Sequence, residues 1–342
     1  MSRFAALTLF AALPVLAADW NPRLAADYLD ARQEKWFTWP NAKQSDGTYC
    51  ISCHTSVPYL FARPSLRRVL GESSPTPHET RLLDTLRSHI ATTDPAKTGT
   101  NVEAVLTTVM LALGDEGRAM SADTKRAFER MWALQVREGK LTGAWKWFNL
   151  ELDPWEMPES PFFGASLAAL AVGAAPAEYR GQPEVRERVT SLLAYLHEQA
   201  PAQTLHNRMV LAWASTKFPE VMPAAERKTI LDELWSKQQS DGGWTAASLG
   251  PFKPHAAAPP APAGDSYATA VASFLAIRAG VPHKDPRLVK ALDWLRSHQD
   301  RENGFWPAGS MNKRYEPDSM QSRFMQEAAT GYASAALLEA SK

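Results

Sequence analysis

Five stretches of the chain are apolar on nearly every face, and each follows a stretch in which apolar and charged residues mix at helical spacing. The nearly uncharged set is Asn101 to Leu113, Phe162 to Val172, His206 to Thr216, Asp265 to Ala279 and Gln326 to Glu339. Ala, Gly and Leu dominate it, as expected of helices buried on most sides. The amphipathic set is His78 to Ile90, Ser121 to Val136, Glu184 to Gln199, Ala224 to Gln239 and Asp285 to His298. Those segments suit an outer layer. Pro95, Gly173, Pro219, Pro223, Gly280 and Pro282 punctuate the series. One more helix, around Arg23 to Thr38, leads through Gln44, Asp46 and Gly47 to His54, which opens a further inner segment. The pattern predicts six outer–inner helix pairs and no strand of any length.

The turns between outer and inner helices repeat. Near the C-terminus stands Lys290-Ala291-Leu292-Asp293-Trp294-Leu295, followed by Gln299, Gly304 and Trp306. Leu234-Trp235 with Gln239, Gly242, Gly243 and Trp244 is a second copy, and Met131-Trp132 with Gln135, Gly143 and Trp145 a looser third. These turns resemble the Gln-Trp repeats of the squalene–hopene cyclase and terpenoid-cyclase toroid superfamily. The resemblance is close from Lys290 to Trp306, partial in the other copies, and at the level of fold over nearly all of the mature chain. It implies an all-α fold, one closed α/α toroid of about six pairs. In such a ring the inner helices run parallel, so their positive N-terminal ends converge at one mouth. Asn101, Glu103, Glu159, His206, Asn207, Asp265 and Glu327 are the residues expected there. The family's chemistry does not come with the fold. The Asp-x-Asp-Asp acid motif of the class II cyclases and the thioester motif of complement-like toroids are absent, and the prenyltransferase relatives bind zinc through Asp, Cys and His, whereas both cysteines here belong to the C-x-x-C-H motif.

The N-terminus adds an address. Ser2-Arg3 precedes an apolar run from Phe4 to Leu16, and small residues at Ala17 and Ala18 are followed by polar sequence. This is the order of a secretory signal, residues 1–18, with a single toroid domain over 19–342. The apolar run is short of the roughly 20 residues that span a bilayer, so no stable membrane span is expected after cleavage. The mature protein is expected in the periplasm or outside the cell. The 37 basic and 37 acidic side chains cancel, and nothing points to nucleic acid.

Only two cysteines occur, in Cys50-Ile51-Ser52-Cys53-His54. The C-x-x-C-H arrangement reads as a c-type haem attachment site, with both thiols bound to the vinyl groups and His54 as proximal iron ligand. A thioredoxin-like pair would want a βαβ context, a zinc site more ligands, and a disulfide over two residues would staple almost nothing. Haem c is therefore the expected cofactor, and the first unit carries the haem cysteine where other repeats carry tryptophan.

Candidates for chemistry cluster at the expected mouth. His206 is a candidate distal ligand, with a helix cap as its bland alternative. His255 lies in the Pro/Ala-rich loop 249–264, which is long enough to fold over the mouth. His78, His89, His197, His283 and His298 fall on outer helices, where solvation is the default. Met311, Met320 and Met325 come near the first repeat when the ring closes. The aromatic and acidic run from Trp145 to Glu156 offers either a pocket wall or plain packing, and Asp153, Glu156 and Asp265 are the weak catalytic candidates. The expected role is redox, meaning electron transfer or haem-based oxidation or reduction of a small apolar molecule, with a redox protein as possible partner. Two alternatives stand beside it: a terpenoid-cyclase-like or lyase-like enzyme using the acidic mouth residues, and a non-catalytic binding scaffold.

Overall fold

The computed structural model describes residues 20–44, 47–91, 98–252 and 264–341. The signal segment, Asp46, Pro95 and His255 lie outside the described residues, as does most of the 249–264 loop. Twelve helices carry the architecture. The outer set is α1 (Pro22–Thr38), α3 (Pro77–His89), α5 (Ala122–Leu134), α7 (Pro183–Gln199), α9 (Ala224–Ser236) and α11 (Pro286–Ser297). The inner set is α2 (Ser56–Val69), α4 (Thr98–Asp115), α6 (Ser160–Ala174), α8 (Leu205–Lys217), α10 (Ser266–Arg278) and α12 (Phe324–Glu339). No strand occurs among the described residues, where the only bridges are isolated pairs at Lys43–Tyr49 and Leu152–Glu156. The chain is an all-α toroid of six outer–inner pairs, as the hydrophobic pattern predicts.

Burial explains the two layers. In α6 every residue from Ser160 to Val172 is buried, which a helix with no charged side chain tolerates. In α5 only the face carrying Thr124, Ala127, Phe128, Arg130, Met131 and Trp132 is buried. Packing runs α4–α6–α8–α10–α12–α2 around the inner ring, while α2 and α4 approach each other much less closely. Several outer helices start on side-chain caps: Asn21 for α1, a Thr76/Glu79 capping box for α3, Ser121 for α5 and Asp285 for α11.

The repeat turns act as mortises between neighbouring pairs. The amide of each turn bridges its own turn and the next outer helix: Gln135 Nε2 donates to Gly143 O and Arg188 O, Gln238 Nε2 to Gly242 O and Arg287 O, and Gln299 Nε2 to Gly304 O and Asn21 O. In the middle copy the residue is Gln238, one before the Gln239 expected from spacing; Gln239 instead uses its backbone N–H on Gly243 O. The glycines lie against the next outer helix at positive φ. A Cβ on Gly304 (φ 79°) would sit 2.3 Å from the backbone of Leu24, and one on Gly143 (φ 92°) 2.1 Å from Ser191 O. The tryptophans are fully buried and donate backwards, Trp145 to Met131 O, Trp244 to Leu234 O and Trp306 to Leu295 O. Since Gln299 and Gly304 meet α1, this device also closes the ring.

Candidate functional site

The first turn departs from that scheme. Gln44 donates to Glu103 rather than across to an outer helix, and Gly47 has nothing within 4 Å of a built Cβ. Ser52, inside the cysteine motif, takes over as the start of α2: its Oγ accepts from Thr55 N (3.1 Å) and Ser56 N (3.0 Å). That hydroxyl satisfies two of the helix's orphan donors and fixes Cys53 and His54 at the N-terminal end of the inner helix. His54 stacks on Phe324 at 3.6 Å, meets the edge of Trp36 at 5.1 Å, and lies 6.4 Å from Trp155. Cys53 is buried and Cys50 half-buried, both as free thiols. Burial pushes both thiols well above their usual range, with Glu103 and Glu156 adding to it at Cys50 and Glu156 and Cys50 at Cys53. They are protonated at neutral pH.

Across the mouth, α8 and α10 bring together a second group. Thr204 caps α8 by accepting from Asn207 N, which leaves His206 at the first turn and fully buried. Its Nδ1 is 3.1 Å from Asn207 Oδ1, and its Nε2 is 3.0 Å from Tyr267 Oη. Asn207 Nδ2 donates to Gln203 Oε1, so its oxygen faces His206. The proton therefore sits on Nδ1, and Nε2 accepts from the Tyr267 hydroxyl. Burial lowers the His206 pKa to about 4. Burial first, and then Tyr332 and Asp265, push Tyr267 far above the usual tyrosine range. The pair is a neutral imidazole facing a neutral phenol.

Glu156 and Trp155 link the two groups. The loop before α6 folds back on itself through Leu150 N to Glu156 O (2.8 Å) and Glu156 N to Leu152 O (2.9 Å), and Trp147 Nε1 donates to Trp155 O (3.0 Å). Trp155 is thereby wedged between His54 and Tyr267, whose ring it meets at 5.5 Å. Its own indole N–H is buried with no hydrogen-bond partner among the described residues. Burial raises the Glu156 carboxyl, while His54 and Lys313 pull it down. A reciprocal pair ties this loop to the segment before α12: Asp153 N donates to Asn312 Oδ1 (2.6 Å), and Asn312 Nδ2 to Asp153 Oδ2 (2.7 Å). A cavity of about 740 Å³ among Ser215, Thr216, Met222, Arg227 and Gly280 opens at the C-terminal ends of α8 and α10, away from these groups. The mouth is identified by its chemistry, not by its volume.

The remaining expected residues fall as follows. Asn101, Glu103, Asn207 and Glu327 are buried, and Glu159 is half-buried at the start of α6. Asp265 caps α10, accepting from Ala268 N (2.7 Å) and Ala246 N, and burial raises its carboxyl despite those bonds. Both its oxygens are thus engaged. Both nitrogens of His206 are engaged too, and Trp155 and Tyr267 stand between it and His54. Met320 Sδ accepts from Arg32 Nη2 on α1, so ring closure does bring it to the first repeat; Met325 is buried in α12 and Met311 is half-buried. His89 is not solvated. It is fully buried, 3.1 Å from Glu103 Oε2 and 2.7 Å from Tyr49 O. Its place after Leu82 and Leu86 on one helical face was the available signal. Tyr267, Tyr332, Phe324 and Thr55 were not singled out in the sequence; an aromatic near the start of an otherwise small-residue helix, as in Ser266-Tyr267-Ala268, is the mark that shows Tyr267.

No family model and no curated protein matches this chain. Among solved structures, a polysaccharide lyase matches with a TM-score of 0.55 at 12% identity, over 93% of this chain and 96% of that one. At that identity the likeness shows the fold alone, a helical toroid. The expected redox role is corrected against this finding: the matching structure is a polysaccharide lyase, and no redox role is carried forward. The metal-binding, cytochrome-like description is corrected with it, since among the described residues no group of three or more His, Cys, Asp or Glu side chains gathers to hold a metal ion. No helix of the described residues is long and apolar enough to cross a membrane.

Proposed function

We propose that the chain is a lyase-type enzyme that cleaves a C–O bond in a uronate-containing sugar chain by β-elimination at the toroid mouth. The observation that carries this reading is the buried His206–Tyr267 pair, joined at 3.0 Å. Elimination needs a base for the carbon-bound proton beside the carboxylate and an acid for the departing oxygen. Tyr267 Oη accepts the carbon proton as it passes its own to His206 Nε2. The C–H electrons form the new double bond, and the C–O bond breaks with its electrons on oxygen. Glu156, whose carboxyl burial raises, supplies the proton to that oxygen. Water then carries the borrowed proton from His206 back to Glu156. The acidic mouth does not repel an anionic chain, because Glu327 is paired with Arg32, Glu103 with His89, and Glu156 is raised. Lys313, close enough to lower Glu156, is the cation for the substrate carboxylate.

The test is a panel of polyuronates with the ultraviolet absorbance of the unsaturated product as readout. Tyr267→Phe is expected to lower kcat by about 10²–10⁴-fold with KM little changed. No product from any polyuronate, or a fully active Tyr267→Phe, sinks the reading.

A covalent haem on Cys50, Cys53 and His54 is proposed separately, as a statement about these three residues and not about a redox role. The motif supports it, together with one observation: His54 Nδ1 is engaged by Thr55 Oγ1 at 2.8 Å, leaving Nε2 for a ligand, as ligating histidines are usually held. A haem bound there would be tethered by Cys50 and Cys53 and would supply an iron held by His54, and no step of the elimination passes through it. Haem staining that survives denaturing electrophoresis is expected of protein exported with attachment machinery; colourless protein overturns it. We also propose a single domain over 19–342, export, and kinship with the cyclase superfamily, the last supported by the Gln, Gly and Trp turns.

A further inference from the structure

His54 sits at the end of a buried polar chain that crosses the closure of the ring. Arg32 Nε, on α1, donates to Glu327 Oε1 at 2.6 Å. Glu327, on α12, is 1% exposed in its side chain. Its other oxygen accepts the hydroxyl proton of Thr55, the residue preceding α2. Thr55 is 2% exposed, and its Oγ1 lies 2.8 Å from His54 Nδ1. Glu327 Oε2 itself is 4.0 Å from that nitrogen, too far for a direct hydrogen bond.

Proton accounting then settles the direction. A threonine hydroxyl has one proton and two lone pairs. The proton goes to the Glu327 carboxylate, so toward His54 the oxygen can only accept. Nδ1 must therefore carry the hydrogen, and the lone pair of the neutral ring is on Nε2. The ring cannot turn over to exchange its nitrogens, because Phe324 stacks on one face at 3.6 Å and Trp36 meets it edge-on. Trp36 is itself held by its Nε1 bond to Cys50 O (2.7 Å).

We infer that Arg32, Glu327 and Thr55 are positioning residues that lock His54 as its Nδ1–H tautomer and leave the ring's lone pair on Nε2, the nitrogen that the proposed haem iron would take. Thr55 and Glu327 belong to the first and last repeats, so the acceptor is set only when the ring closes. The inference rests on the proposed mouth being the site, and it states which nitrogen of His54 carries the lone pair there.

The experiment is a long-range proton–nitrogen correlation spectrum of the full chain labelled with ¹⁵N-histidine, with His54 assigned by its loss in His54→Gln. The expected His54 pattern is a single Nδ1–H tautomer. Thr55→Val, which keeps the shape and removes the hydroxyl, should give a mixture of tautomers or the Nε2–H form, and Thr55→Ser should restore the original. An Nε2–H pattern in the unaltered protein overturns the inference without any variant, as does an unchanged pattern in Thr55→Val. Failure of elimination with the tautomer intact would count against the lyase reading alone. A wrong tautomer with elimination intact would count against this inference alone.

Discussion

The outer turns and the mouth occupy the same end of the toroid and are built from the same residue types, yet they differ in what is left over. In the outer turns each amide, indole and glycine is spent on a neighbour: Gln299 holds both its own turn and α1, Trp306 donates to Leu295 O, and Gly304 touches the backbone of Leu24. At the mouth the Trp155 indole has no partner among the described residues, His206 is buried uncharged, and Glu156 is raised. A polar group buried without a partner costs stability, and perturbed groups gather where a ligand is handled. The outer turns therefore hold the ring, and the mouth holds capacity for something else. The first turn, where Gly47 meets nothing, belongs with the mouth.

The sharpest way to break this division is a methyl group. Gly304→Ala puts a Cβ 2.3 Å from the Leu24 backbone at a φ of 79°. Overpacking costs about 1–3 kcal/mol and left-handed backbone about 1–2 more, so a loss of about 4 kcal/mol is expected by chemical denaturation. Gly47→Ala, at φ 87° with open space around it, should lose only the backbone part, about 1–2 kcal/mol. Equal losses would mean that the last turn does not clamp α1.

The layers and the outer turns were legible in the sequence because each rests on local rules. Apolar periodicity separates α6 from α5, and the Gln, Gly and Trp spacing marks the turns. The mouth was legible only in part. His206 and Glu327 could be placed there from helix order, and Glu156 from its aromatic run, but their partners could not. The His206–Tyr267 contact joins α8 to α10, and the Thr55–Glu327 contact joins residues 272 apart in sequence. Neither spacing leaves a periodic trace. His89 shows the opposite failure: its residue type suggested solvent, while its position on the Leu82–Leu86 face decided its burial. The C-x-x-C-H motif spoke for a cofactor and was silent on activity, which is why a redox role drawn from it did not survive the comparison of folds.

Acid titration separates the two regions next. The His206 pKa is lowered to about 4 from 6.5, so below 6.5 the unfolded chain binds a proton that the folded one refuses. The stability it contributes is fully present above 6.5 and is lost as pH falls toward about 4. The shift amounts to about 3 kcal/mol. His206→Asn should flatten that part of the acid limb in denaturation curves taken across pH. Glu156 has the opposite sign. With its folded pKa raised by burial, the protein should lose stability as pH rises through that value, and Glu156→Gln should remove the loss. If both variants track the unaltered protein at every pH, the mouth stores no electrostatic strain.

The smallest effect is the most specific. Trp306→Phe and Trp155→Phe remove a similar volume from buried sites, so cavity costs nearly cancel between them. What differs is the indole N–H. Trp306 loses a bond to Leu295 O and leaves that carbonyl unsatisfied, whereas Trp155 loses an N–H that had no partner. Trp306→Phe should therefore be less stable than Trp155→Phe by about 1–2 kcal/mol. The order should reverse for ligand capture: Trp155→Phe should weaken binding of a polyuronate oligomer measured by calorimetry, and Trp306→Phe should leave it unchanged. Should the two cost the same in stability, Trp155 would be one more structural tryptophan. The mouth would then have to be argued from His206, Tyr267 and Glu156 alone.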